Sequence, residues 1–200
     1  MIEKRVIVAC EYSGRVRDAF RKLGFDAWSC DLLPTDSDPE FHHAADVFDV
    51  IENRGPWDLI LMHPPCTALC VSGNRHYGTG MPKNTLRQQA LKWTAALWNT
   101  ARQRARVGVS LENPIGVLTA EIGKPSQIIQ PWQFGHGETK ATCLWLDRLP
   151  LLVPTQIVEG REQRIWKMGP SPTRGKERSL TYQGIADAMA DQWSKVLLTN

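Results

Sequence analysis

The chain has 200 residues, 42% of them apolar and 22% charged, with 15 glycines and 13 prolines, enough for one well-buried domain and too few for two large ones. No window approaches the roughly 18 continuous apolar residues of a membrane-spanning helix, and no apolar core follows the charged start Met1-Ile-Glu3-Lys4-Arg5, so a cytoplasmic protein without a membrane partner is expected. Its net charge of +3 is unevenly spread: residues 1–58 hold 7 basic and 12 acidic side chains, residues 59–111 hold 7 basic and no acidic ones, and residues 112–200 hold 10 and 9.

In chain order, the pattern alternates between strand and helix. Arg5-Val-Ile-Val-Ala-Cys10 is a β-branched run, and Val16, Ala19, Phe20 and Leu23 then recur at helical spacing until Gly24. Residues 26–30 read as a second strand, 41–45 as a short third, 47–51 as a short helix, and 57–62 as a buried strand. Residues 84–106 read as a long amphipathic helix with its apolar stripe at Leu86, Ala90, Trp93, Leu97 and Ala101, followed by a strand at 107–111. Beyond Pro125 the signal weakens. Residues 141–146 are strand-like, 148–178 loop-rich and 184–198 a closing helix. Such alternation predicts an α/β fold, a doubly wound and mostly parallel sheet forming a single domain over residues 1–200.

In such sheets ligands sit outside the carboxyl ends of the strands, so those ends are where chemistry is sought. The first end carries Cys10-Glu11-Tyr12-Ser13-Gly14, a tight turn into a helix whose amides could meet a ligand, although the full glycine-rich phosphate pattern is absent. The second carries Asp31-Leu32, with Asp31 17 residues beyond Gly14, near the spacing at which an acid takes ribose hydroxyls. The third carries Asp46-Val47; a solvated loop aspartate is the plainer reading of both acids. The fourth carries His63-Pro64-Pro65-Cys66, where two prolines fix the backbone beneath a cysteine, as a positioned nucleophile requires. A buried free cysteine is the alternative. The five cysteines, at 10, 30, 66, 70 and 143, are irregularly spaced and odd in number, which fits reduced thiols rather than a disulfide framework. His63, Cys66, Cys70 and His76 do not have the spacing of a zinc knuckle, and no metal is expected. The fifth end carries Glu112-Asn113 before Pro114.

Taken together, the ordered set Cys10-Glu-Tyr-Ser-Gly14, Asp31, Asp46-Val47, Pro65-Cys66 and Glu112-Asn113 resembles the motif series of the DNA cytosine-5 methyltransferases over residues 5–145. Pro65-Cys66-Thr-Ala-Leu-Cys70-Val-Ser72-Gly73 is similar to that family's Pro-Cys-Gln-x-x-Ser-x-x-Gly loop, and Glu112-Asn113 to its Glu-Asn-Val motif. The whole chain resembles more closely the small phage- or prophage-type proteins known as cytosine methyltransferase-like, through Gln127-Ile-Ile-Gln-Pro-Trp-Gln-Phe-Gly135 and Ala186-Asp-Ala-Met-Ala-Asp-Gln-Trp193.

The resemblance implies a Rossmann-like class I methyltransferase fold, S-adenosyl-L-methionine as cofactor and DNA as partner. It implies Cys66 as the nucleophile that adds to cytosine C6, Glu112 as the carboxyl group at N3 with a pKa raised by burial, and Asn113 as the residue holding the loop. Lys140, in Phe134-Gly-His-Gly-Glu-Thr-Lys140, stands near the family's arginine motif. It also implies cofactor contacts from Cys10 to Gly14, from Asp31 and Leu32 to the ribose, from Asp46 and Val47 to the adenine, and from Pro65.

Two departures from the family pattern qualify that set. Ala9 replaces the aromatic residue of the cofactor turn, and Glu11 and Ser13 replace glycines. In place of a large target-recognition domain there is only the short basic segment 148–178, with Arg161, Arg164, Lys167, Arg174, Lys176 and Arg178 interleaved by Trp166, a composition suited to phosphate tracking and base stacking. With Arg75, Lys83 and Arg87 these form the expected nucleic-acid face. So small a reading surface implies little sequence specificity and a preference for unpaired bases. Two other functions stay open: a nucleic-acid-binding protein with a vestigial methyltransferase fold, and a methyltransferase of free cytosine nucleotides.

Overall fold

The computed structural model describes residues 2–199. Its strands are β1 (Ile2–Ala9), β2 (Phe25–Asp31), β3 (His42–Ala44), β4 (Trp57–Met62), β5 (Ala105–Pro114), β6 (Gln127–Ile129) and β7 (Thr142–Asp147). The helices are α1 (Arg15–Lys22), α2 (Val47–Asn53), α3 (Asn74–Tyr77), α4 (Asn84–Arg104), α5 (Thr119–Ile122), α6 (Arg164–Lys167), α7 (Arg174–Ser179) and α8 (Gln183–Thr199). One seven-stranded sheet runs in the order β3-β2-β1-β4-β5-β7-β6. Every neighbouring pair is parallel except those of β7, which is antiparallel to β5 and to β6. The strand order reverses direction between β1 and β4, the switch point at which open α/β sheets form their crevice.

Alternation along the central strands builds two cores. Val6 and Val8 of β1 and Leu59 and Leu61 of β4 face one layer with Phe20 of α1 and Met189 and Trp193 of α8. Ile7, Ala9, Ile60 and Met62 face the other, with Val50 and Ile51 of α2 and Leu97 and Trp98 of α4. Because both faces are covered, β4 is buried along its whole length. Its one acid, Asp58, accepts the Arg5 amide at 2.8 Å, which satisfies the charge inside the sheet.

Several expectations from the sequence change here. The stripe of α4 turns: Arg87, Leu91, Thr94, Leu97, Trp98 and Ala101 are buried, while Leu86 is 50% exposed. In the first turn it is Arg87 that faces inward, its guanidinium donating to Ala68 O, Asn74 Oδ1 and Cys70 O. Strand β5 extends to Pro114, beyond the expected 111, and the segment read as loop-rich holds α6 and α7. The antiparallel course of β7 matters most. It pairs Pro114 with Thr142 and Glu112 with Leu144, so the start of β7 lies at the edge where the parallel strands end. Lys140, just before β7, is thereby brought within electrostatic reach of Glu112, its ammonium donating to Leu180 O at 3.2 Å.

Candidate active site

Side chains of β4, β5 and the approach to β7 meet at the carboxyl edge of the sheet. The loop after β4 is held from three directions. Its start is fixed by the His63 amide donating to Ala9 O at 2.9 Å and by Asn113 Nδ2 donating to Pro64 O at 3.0 Å. The segment after β5 then clamps its far side, with Val71 N donating to Ile115 O and Val117 N to Leu69 O. Here the chains approach so closely that a Cβ on Gly116 would stand 2.1 Å from Leu69 O, so only glycine fits. From beneath, Arg87 donates Nε to Ala68 O at 2.6 Å, Nη1 to Asn74 Oδ1 at 2.9 Å and Nη2 to Cys70 O at 3.4 Å. Arg87 is 5% exposed. That corrects its assignment to a nucleic-acid face: its charge is spent inside the loop that carries Cys66.

Cys66, partly buried at the mouth of this loop, has its thiol pushed up to about 11 by burial first and then by the negative charge of Glu112. Lys140 pulls in the opposite direction, so all three groups share one electrostatic site. Glu112 departs from expectation. Burial alone would raise its pKa, yet the hydrogen bond from His63, the Lys140 ammonium and the His63 charge together hold it below the ordinary carboxylate value. His63 Nδ1 lies 3.4 Å from Glu112 Oε2, with side chains 9% and 15% exposed. The sequence reading considered His63 only as a metal ligand and gave no signal for this pairing. Among the described residues no three His, Cys, Asp or Glu side chains are grouped to hold a metal ion.

At the end of β1 the turn is occupied by its own chain. Glu11 is 4% exposed and accepts the Val16 amide at 2.8 Å, the Arg17 amide at 3.3 Å and the Ser13 hydroxyl at 3.2 Å. The carboxylate thus caps α1 and takes the amides that the sequence reading offered to a ligand. Burial raises its pKa, opposed by His63 and by these donors. Gly14 has φ +73, and a Cβ there would stand 2.7 Å from the buried Arg17 Nη2. Cys10 sits at φ 58 with its thiol raised by burial and by Asp31, Cys30 and Asp46. Tyr12 points outward, its hydroxyl donating to Lys176 O at 2.9 Å and lying 2.9 Å from Ser179 Oγ.

The acids of the next two strand ends each use one oxygen locally: Asp31 Oδ1 accepts Leu33 N at 2.9 Å, and Asp46 Oδ1 caps α2 through Phe48 N at 2.8 Å. Their second oxygens have no partner among the described residues. Beside Asp31, Leu32 and Leu33 are 78% and 57% exposed. A cavity of about 380 Å³ opens there, lined by Tyr12, Leu33, Pro34, Asp36, Gly175, Lys176 and Ser179. The free carboxylate oxygens of Asp31 and Asp46 can accept from hydroxyl or amino groups of a polar ligand. Val47 does not contribute its side chain, which is buried against the sheet, and exposed Pro65 precedes Cys66 at the site.

The basic segment is only partly free. Lys176 pairs with Asp36 at 2.6 Å, Arg164 with Glu138 at 3.0 Å, and Arg174 Nε and Arg178 Nη1 donate to Met168 O and Ile165 O. Arg161 lies 3.9 Å over the Trp132 ring. Lys167 and the 75% exposed Trp166 remain open to solvent, as do Arg75 and Lys83 near the Cys66 loop.

No protein-family model matches the chain, and no curated protein matches it. Solved structures do align with it, two of them methyltransferases by description. One, described as a DNA modification methyltransferase encoded within an E. coli prophage, has a TM-score of 0.44 at 13% identity over 84% of this chain and 56% of that one. The other, the Entamoeba histolytica methyltransferase EhMeth, has a TM-score of 0.49 at 14% identity over 82% of this chain and 59% of that one. The chain therefore spans less than two thirds of either structure's length.

Proposed function

We propose that the protein is an S-adenosylmethionine-dependent DNA methyltransferase that modifies cytosine at C5. One observation carries the reading: Cys66, on the loop after β4, and Glu112, near the end of β5, lie within electrostatic reach of each other, and the Lys140 ammonium acts on both. The order β3-β2-β1-β4-β5-β7-β6, parallel but for β7, is a mostly parallel sheet of the Rossmann-like kind that the resemblance implies. Asp31, Asp46 and the lip at Leu32 and Leu33 are the residues proposed to hold the cofactor, which supplies an electrophilic methyl group when bound.

Cytosine C5 is too weakly nucleophilic to be methylated directly. Cys66 Sγ adds to C6 and pushes electron density onto C5, and Glu112, facing N3, meets the charge that develops on the ring. Lys140 adds positive charge on the same side. Asn113, through Pro64 O, keeps the Cys66 loop at the distance that addition needs. The segment 148–178 is the stretch proposed to read bases; its small surface supports low sequence specificity and a substrate whose bases are already unpaired. Incubation with methyl-labelled cofactor and single- or double-stranded DNA tests the reading. Label is expected on DNA, more on single strands, and none with Cys66→Ser; transfer unchanged by that substitution contradicts it.

A second reading, nucleic-acid binding without transfer, is favoured by Glu11, which occupies the amides at the start of α1. It predicts salt-dependent DNA binding with no cofactor affinity. Saturable calorimetric binding of S-adenosylmethionine argues against it.

A further inference from the structure

The thiol of Cys66, pushed up to about 11, is ionised in only about one molecule in ten thousand at pH 7. Addition to C6 therefore needs a base at hand. Glu112 is the acid whose charge acts on the thiol, and a carboxyl group kept protonated by its burial could not serve.

We propose that His63 is a positioning residue that holds Glu112 as a proton acceptor, so that Glu112 takes the Cys66 thiol proton and passes it to N3 of the cytosine. The inference rests on the cytosine-5 reading above. The geometry confines His63 to this task. Its backbone is fixed by the bond to Ala9 O and by Pro64 and Pro65, and its Nδ1 lies 3.4 Å from Glu112 Oε2. Its Nε2 is buried without a hydrogen-bond partner, a cost the fold carries for a ring that is needed where it is. The groups facing the pair come from every adjoining element. Cys66 and Lys140 face Glu112 from the loops after β4 and before β7, Cys143 faces it from β7, and Glu11 faces His63 from the turn after β1. Lys140 and His63 favour the Glu112 carboxylate against its burial.

The step balances. The S–H bond of Cys66 breaks as the S–C6 bond forms, and the proton goes to a Glu112 oxygen. That O–H bond then breaks as N3–H forms, where the density displaced from the 5,6 double bond has accumulated. Glu112 ends as the carboxylate it began as, and His63 is unchanged.

Carbon-13 NMR of full-length protein labelled at glutamate carboxyls, with Glu112→Gln identifying the signal, reads the acceptor directly. The Glu112 midpoint is expected below the ordinary glutamate value in the wild type and above it in His63→Ala, where burial is opposed by Lys140 alone. His63→Gln, which keeps a donor of similar reach, is expected to hold part of the shift, and serves if the alanine variant does not fold. In parallel, methyl transfer by His63→Ala is expected to rise with pH as Glu112 loses its proton, about tenfold per pH unit below the new midpoint, whereas a purely structural loss lowers the rate equally at every pH. A Glu112 midpoint unmoved by either substitution overturns the role of His63 even if the wild type transfers methyl groups. A midpoint that moves, in a wild type that transfers none, overturns the cytosine-5 reading instead.

Discussion

Asn113 Nδ2 donates to the Pro64 carbonyl oxygen at 3.0 Å, tying the end of β5 to the loop that carries Cys66. Asn113 is 1% exposed, so its truncation leaves a buried carbonyl unpaired. Asn113→Ala is expected to cost about 1–3 kcal/mol of stability, read from urea unfolding midpoints, and to lower methyl transfer further than that loss explains. An unchanged midpoint would show that the bond does not hold the loop.

Arg87 and Arg75 stand within one basic block of the sequence and should behave oppositely. Arg87→Ala takes the donors from Ala68 O and Asn74 Oδ1 and leaves Cys70 O with the Gly73 amide alone, so iodoacetamide should reach Cys66 faster while the salt dependence of DNA binding stays as it was. Arg75→Ala should leave alkylation unchanged and reduce the slope of log affinity against log salt by about one. A reduced slope in Arg87→Ala would return it to the nucleic-acid face.

Gly116 tests the close approach of the two loops. A Cβ there stands 2.1 Å from Leu69 O, a backbone atom that cannot swing aside, so Gly116→Ala is expected to destabilise by about 1–3 kcal/mol. Gly123→Ala, which meets no atom within 4 Å but has φ +84, separates backbone strain from this clash. Equal losses at both positions would mean that the clash contributes nothing.

The alternation of strands and helices was legible because the core strands are short, mostly apolar runs, as in 57–62 where Asp58 is the one polar residue, and because the sheet is covered on both faces. The strand ends were legible for the same reason: once the strands are parallel, Cys66 and Glu112 must share an edge. Direction of pairing is not encoded in periodicity, so the reversal of β7, and with it the delivery of Lys140, was not. Nor was the inward turn of Arg87, since a basic residue at the start of a helix reads as solvent-facing unless the acceptors of a distant loop are known. Glu112 shows the limit most sharply. Its burial could be inferred from the strand, but His63, which with Lys140 reverses the effect of burial, comes from the loop after β4, 49 residues away in sequence.

Stability should fall in alkali. The thiols of Cys66 and Cys30 are raised from 9.0 to about 11 and about 12, in both cases chiefly by burial. Between about pH 9 and these values the unfolded chain loses protons that the folded chain keeps, so stability is full below 9 and declines as pH rises. Urea midpoints at pH 7.5 and 10 should differ in that sense, and Cys66→Ser should recover part of the loss. A midpoint that is higher at pH 10 would contradict the burial of these thiols.

The central claim is that Cys66 adds to C6 of cytosine, and DNA carrying 5-fluorocytosine tests it at the bond itself. With fluorine in place of the proton that must leave C5, the adduct formed after methyl transfer cannot resolve, so the protein should remain covalently attached to the strand. Peptide mass spectrometry is expected to find the methylated fluorocytosine on Cys66, with no adduct in Cys66→Ser. Methyl transfer to ordinary cytosine without any such adduct, or an adduct on another cysteine, would contradict the account.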